Sequence, residues 1–189
     1  MKPPFKITSK ILALCTDITR LIGQFEGLNS PRPQPKLRRQ NLIKTIHGSL
    51  AIEGNTLSLD HVTSIIEGRR VIGDPNEILE VRNAIKAYEH APDWNSLNEN
   101  DLLRAHQLMM KGLIPEAGKY RSSNVGIIKG SKVGHIAPKP NLVPKLMKNL
   151  FDFLRQDQET PILVKACIFH CELEFIHPFT DGNGRIGRL

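Results

Sequence analysis

Apolar positions recur at a helical spacing along most of the chain, and the one departure is local. Ile11, Leu12, Leu14, Cys15, Ile18, Leu21 and Ile22 fall near a helical period and predict a helix from about Ser9 to Phe25. Gly27 and the cluster Pro31-Arg32-Pro33-Gln34-Pro35 then read as a turn or linker. A second helix is expected from Lys36 to Ile52, with Leu37, Leu42, Ile43, Ile46 and Leu50 as its stripe and Gly54-Asn55 as its stop. Ser58 or Asp60 can cap a short helix to Glu67. After a loop at Gly68–Pro75 come helices at 76–91, from Asn98 or Asn100 to about Lys111, at 141–157 and at 162–175. The last is apolar nearly all round, which predicts a central buried helix. Between them, Val125, Ile127 and Ile128, a Lys129-Gly130-Ser131 turn, and Val133, His135 and Ile136 read as a β-hairpin. The expected class is mainly α, with one short hairpin and an N-terminal helical extension. The division is expected at residue 70, giving an N-terminal helical region at 1–70 and a core at 71–189.

Bulk properties narrow the picture only a little. The chain has 189 residues, enough for one domain or one domain with an extension. No apolar run approaches the ~20 residues needed to span a bilayer. No signal peptide is read at the N-terminus, so a cytoplasmic setting without membrane is expected. Net charge is +7 and pI about 9.5. That balance suits a polyanion, a nucleotide triphosphate or an acidic protein. Basic residues are scattered apart from Lys36-Leu37-Arg38-Arg39, and no nucleic-acid module is read, so nucleic acid is not the expected partner. Cys15, Cys167 and Cys171 make no disulfide framework. Cys167 and Cys171 flank His170 without the paired spacing of a metal site, and core packing is expected of them.

The chemistry concentrates in His177-Pro178-Phe179-Thr180-Asp181-Gly182-Asn183-Gly184-Arg185-Ile186-Gly187-Arg188. Gly182 and Gly184 can take backbone angles closed to other residues, so N–H groups of the turn can converge on an anion. A helix opening at Asn183 or Gly184 adds its positive end. Arg185 and Arg188, at i and i+3, then share a face and suit phosphate oxygens. Asp181 can hold Mg²⁺ on a phosphate, and His177 can take a proton from a hydroxyl near neutral pH. Surface loops rarely set some eight typed positions in one register.

This run resembles the signature of Fic-domain proteins, His-x-Phe-x-(Asp/Glu)-Gly-Asn-Gly-Arg-x-x-Arg, without a departure. The resemblance implies a Fic-like helical core and a nucleotidyltransferase that moves AMP from ATP onto a Ser, Thr or Tyr hydroxyl of a protein. It implies His177 as general base, Asp181 as the Mg²⁺ contact, Gly182, Asn183 and Gly184 as the anion hole, and Arg185 and Arg188 as triphosphate grips. Phe179 would anchor the loop inward. The 122–138 hairpin would be the family's flap, holding a protein substrate by strand addition. Self-association is left open. Relatives move UMP, phosphocholine or phosphate on similar sites. Fic cores normally continue beyond the residue reached at Leu189, so the core is expected to be truncated. The alternatives are therefore an inactive nucleotide-binding or interaction module, or a phosphotransferase relative.

Ser49-Leu50-Ala51-Ile52-Glu53-Gly54 resembles the family's inhibitory motif, (Ser/Thr)-x-x-x-Glu-(Gly/Asn). Glutamate is misplaced at the negative end of a helix unless a cation faces it. The resemblance supplies that cation: Glu53 would pair with Arg188 and deny it to the γ-phosphate. In some relatives the same glutamate allows the reverse removal of AMP.

Overall fold

Side-chain caps mark where several of the helices begin. The computed structural model describes residues 3–27, 35–129 and 132–189. In these, α1 spans Ser9–Gly27, α2 Pro35–Ile52, α3 Leu59–Ile66, α4 Pro75–His90 and α5 Glu99–Met110. The strands β1 (Gly126–Lys129) and β2 (Lys132–Ile136) follow, then α6 Val143–Gln156, α7 Ile162–Ile176 and α8 Asn183–Gly187. Ser58 Oγ accepts from the His61 N–H at 3.2 Å and opens α3. Asp74 Oδ1 accepts from Asn76 and Glu77 at 2.8 and 3.2 Å, with Pro75 leading α4. Asn98 Oδ1 accepts from Asn100 at 3.0 Å and opens α5. Each cap supplies an acceptor to an N–H that the helix leaves unpaired, worth about 1 kcal/mol.

The core forms where these helices meet. Ile46 and Leu50 (α2), Val62 (α3), Val81 and Ala87 (α4), Met109 and Met110 (α5), Met147 and Phe151 (α6), and Leu173 and Ile176 (α7) are all buried. Ala84 and Ala87 let α4 lie close to its neighbours α5 and α2. α7 packs against α6 on one side and α8 on the other, and α5 also touches α8. The short final helix is thus wedged between α5 and α7.

β1 and β2 pair antiparallel, Gly126 opposite Ile136 and Lys129 opposite Lys132, with a shift of register between Ile127 and Ile128. Residues 130 and 131 of the expected turn, and residues 28–34 of the expected linker, lie outside the described residues.

Several expectations need correction. α7 is not buried all round: Val164, Ile168, Leu173 and Ile176 face inward, whereas Ile162 and Phe175 are 76% and 55% exposed. Cys167 and Cys171 are exposed rather than in the core. The two cysteines instead line, with Phe5, Ile11 and Cys15, an apolar groove of about 500 Å³ between α7 and the N-terminal residues. Leu37, expected in the α2 stripe, is 48% exposed, because burial in α2 starts only at Ile43. Among the described residues no helix is long and apolar enough to cross a membrane.

Candidate active site

The loop after α7 is held in shape by one buried arginine, one buried asparagine and a stacked ring pair. α7 closes at His177, which takes φ 49° and ψ 62° while its N–H donates to the Leu173 carbonyl at 2.8 Å. It is the single non-glycine residue with positive φ among the described residues. That conformation costs about 1 kcal/mol or more and needs outside support. Arg121, 2% exposed, supplies it. Its Nε donates to the His177 carbonyl at 2.7 Å, its Nη2 to the Ile176 carbonyl at 3.3 Å, and its backbone N–H to the Pro178 carbonyl at 2.9 Å.

Asn183 closes the rest of the loop. Its Oδ1 accepts from the Phe179 N–H and its Nδ2 donates to the Phe179 carbonyl, both at 2.9 Å. The Asn183 side chain is therefore a loop clasp, and only its backbone N–H faces anion chemistry. Phe179 is fully buried and stacks on His106, with ring centroids 3.7 Å apart and planes 5° off parallel. His106 Nδ1 accepts from the Gly118 N–H at 2.8 Å, which puts its proton on Nε2, the donor to the Asp181 carbonyl at 2.9 Å. Burial pushes the His106 pKa down, against the opposing pull of the Asp181 carbonyl and carboxylate. His106 is thus a neutral strut from α5 to the loop.

The turn itself uses its two glycines differently. Gly182 has φ 83°, and a Cβ there would stand 2.6 Å from Met110 Sδ. Gly184 needs no unusual angle; it needs emptiness, since a Cβ would lie 2.5 Å from Glu53 Oε1 and 2.9 Å from Arg188 Nη1. The Gly182 N–H donates to Asp181 Oδ1 at 2.6 Å and is already engaged. The N–H groups of Asn183, Gly184 and Arg185 open α8 and give it its positive end.

The two arginines meet different partners. Arg185, 4% exposed, donates from Nη1 to Glu80 Oε1 at 3.0 Å and from Nη2 to Asp181 Oδ2 at 2.9 Å, while its Nε is buried without an acceptor. Glu80 on α4 also accepts from Asn55 Nδ2 at 2.8 Å. Arg188 meets the end of α2: Nη2 donates to Glu53 Oε1 at 2.5 Å and to the Ser49 carbonyl at 3.1 Å, and Nε donates to Ser49 Oγ at 3.1 Å. These contacts span 135 and 139 positions of sequence. Ser49 is buried, and Glu53 has the cation that its helix position calls for. Beside them burial pushes the Tyr88 hydroxyl pKa up, while Ser49 and Arg188 pull it down.

Among the described residues no group of three or more His, Cys, Asp and Glu side chains is arranged to hold a metal. A magnesium ion carried on phosphates needs less, one or two carboxylates with water and phosphate oxygens completing its shell. Asp181 fits that demand, for its side chain is 53% exposed and each oxygen keeps a lone pair beyond its one partner.

The structure thus groups Asp181, Gly182, Asn183, Gly184, Arg185, Arg188, Glu53 and Ser49 at α8, with His177 four residues ahead of Asp181. Sequence reasoning missed Arg121, His106 and Glu80 as supports. Glu174 turns Oε1 into a buried spot beside Gly187.

Comparison with known proteins gives a consistent result. Residues 96–189 match the Fic/DOC family. The protein adenylyltransferase Fic of Aedes aegypti is 34% identical over 166 residues, covering 82% of this chain and 32% of its own length. Protein adenylyltransferase fic-1 of Caenorhabditis elegans is 29% identical over 181 residues, covering 89% of this chain and 34% of its own length. The chain therefore spans about a third of these curated relatives. Among solved structures, a Fic family protein from Desulfovibrio desulfuricans G20 aligns with TM-score 0.93 and 52% identity, over 100% of this chain and 57% of its own. Fic-1 from C. elegans aligns with TM-score 0.68 and 26% identity, over 95% of this chain and 60% of its own.

Proposed function

The chain belongs to the Fic/DOC family, and on that premise we propose that it is a protein adenylyltransferase held off by its own Glu53. The observation that supports this reading is the seat of Glu53. Its carboxylate lies against Gly184 and Arg188, at the positive end of a helix, where an anionic phosphate would find the same attractions.

In the proposed reaction His177 takes the proton of a Ser, Thr or Tyr hydroxyl on the target protein. The oxygen attacks the α-phosphorus of ATP, a new P–O bond forms, and the bond to the β-phosphate breaks to release pyrophosphate. First-turn N–H groups of α8 steady the charge that grows on the α-phosphate oxygens. Asp181 would hold Mg²⁺, which when bound neutralises phosphate charge. Arg188, freed from Glu53, grips the outer phosphates. While Glu53 keeps it, the α-phosphate sits out of line, and an error of ~1 Å costs about 100-fold in rate. The target would lie along the strand pair in residues 122–138 as an added strand, a mode that reads main chain and tolerates several sequences.

The test offers α-labelled and γ-labelled ATP with Mg²⁺ and lysate of the source cell. Three folded proteins are compared: wild type, Glu53→Gly, and Glu53→Gly with His177→Ala. The expected result is α-label transfer by Glu53→Gly alone. Transfer of γ-label would replace the reading with phosphotransfer. A folded Glu53→Gly protein that moves neither label would leave a nucleotide-binding or interaction module.

A further inference from the structure

Arg121 does more than close the loop. Its guanidinium reaches four backbone carbonyls in two places. Nε and Nη2 hold His177 and Ile176 at 2.7 and 3.3 Å; Nη1 and Nη2 hold Ser123 and Pro138 at 2.9 and 2.6 Å. Ser123 enters the β1–β2 segment and Pro138 leaves it. One buried cation therefore ties both ends of that segment to the main chain of His177. A guanidinium is suited to this because its donors form a rigid planar fork, whereas an ammonium has no such spread. Four carbonyls around one charge also offset the cost of burying it.

We propose that Arg121 is a positioning residue for the reaction. It sets the backbone of the base His177 and the base of the target-holding hairpin in one frame, so that a hydroxyl presented by a strand on the hairpin arrives at the imidazole. This rests on the adenylyltransferase reading for the role of His177. Arg121 itself touches neither nucleotide nor target. Its loss disturbs the direction in which His177 leaves α7, since the left-handed conformation of that residue loses the contacts that hold it. The anion turn is untouched, because Asn183, His106 and the two α8 arginines are held by other partners.

The experiment uses the full chain in the Glu53→Gly background and adds Arg121→Lys, which keeps the charge and loses the fork. With α-labelled ATP, kcat is expected to fall about 100-fold while KM for ATP stays within about twofold. The pH titration of the His177 imidazole resonance, assigned by its absence from His177→Ala, is expected to shift. Unchanged kcat in the folded variant overturns the proposal, as does a rise in KM that accounts for the whole loss. If Glu53→Gly itself transfers no label, the functional reading has failed, and the resonance decides alone: displaced, it supports the frame; unmoved, it overturns it. If Arg121→Lys does not fold, hydrogen exchange of the Arg121 Nε–H in the unsubstituted protein decides. Protection like that of core amides supports the clamp. Exchange as fast as that of Arg104, whose side chain is 70% exposed, overturns it.

Discussion

Arg185 and Arg188 stand three residues apart, one within α8 and one capping its C-terminal end, carry the same group, and live in opposite circumstances. Arg185 is sealed in the fold, gripped by Glu80 from α4 and by Asp181 from its own loop. Arg188 is a quarter exposed and gripped by the end of α2. The first set of bonds joins the motif to the helical core. The second joins it to the C-terminal end of α2, where Glu53 lies just past the buried stripe of that helix. On the proposed reading, one arginine therefore belongs to the stability of the site and the other to its control.

The comparison breaks most readily at Arg185. Arg185→Ala leaves Glu80 and Asp181 without their shared cation, and a loss of about 3 kcal/mol is expected, chiefly from the partly buried Glu80, since Asp181 is half exposed. Thermal denaturation should show this as a fall in Tm of roughly 6–12 °C. Arg188→Ala removes a half-solvated pair and two hydrogen bonds to Ser49, and should cost only about 1 kcal/mol. Equal losses from the two variants would end the distinction.

Function sharpens the contrast further. Ser49→Ala removes one of the bonds that restrain Arg188 and leaves the Ser49 carbonyl in place. Release worth about 1 kcal/mol should raise α-label transfer by about fivefold, with a fall in Tm of no more than about 2–4 °C. An unchanged rate would mean that Glu53 alone sets the restraint.

The smallest expected effect is on pH dependence, on the Arg185 side of the site. His106 is kept neutral in the fold by burial, so its folded pKa lies below the ~6.5 of an unfolded histidine. The unfolded chain then binds the extra proton first. The contribution of His106 is fully present above ~6.5 and is lost as pH falls below it toward the folded value. Urea midpoints at pH 7.5 and 5.5 should therefore drop more for wild type than for His106→Gln. Equal drops would show that His106 does not titrate differently on folding.

Much of this site was legible because its residues are contiguous or close to it. Twelve positions from His177 to Arg188 carry the histidine, the carboxylate, the turn and both arginines, and Ser49 and Glu53 are one helical turn apart. What was hidden lies in single residues whose type says nothing of their surroundings. Arg121 sits in an irregular stretch where an arginine is ordinarily solvated. His106 falls on an apolar helix face, which indicates packing but not the tautomer that Gly118 imposes. Glu80 looks like one more polar residue of α4. The fold was legible where caps and helical periods coincide, as at Ser58 and Asn98. It was misread in α7, where an all-apolar composition concealed an exposed side carrying Ile162, Cys167, Cys171 and Phe175. Gly184 was misread in kind, because sequence announces a glycine without saying whether the backbone needs its angles or a neighbour needs its space.

That space carries a last consequence. On the proposed reading, Glu53 and a nucleotide phosphate compete for the hollow beside Gly184, but only one of them is tethered. A tethered group has an effective concentration of roughly millimolar order, whatever the amount of protein in solution. Diluting the enzyme cannot relieve such inhibition, because the competitor travels with the site. Whatever shifts the end of α2 then changes the output of the site without any change in the amount of enzyme.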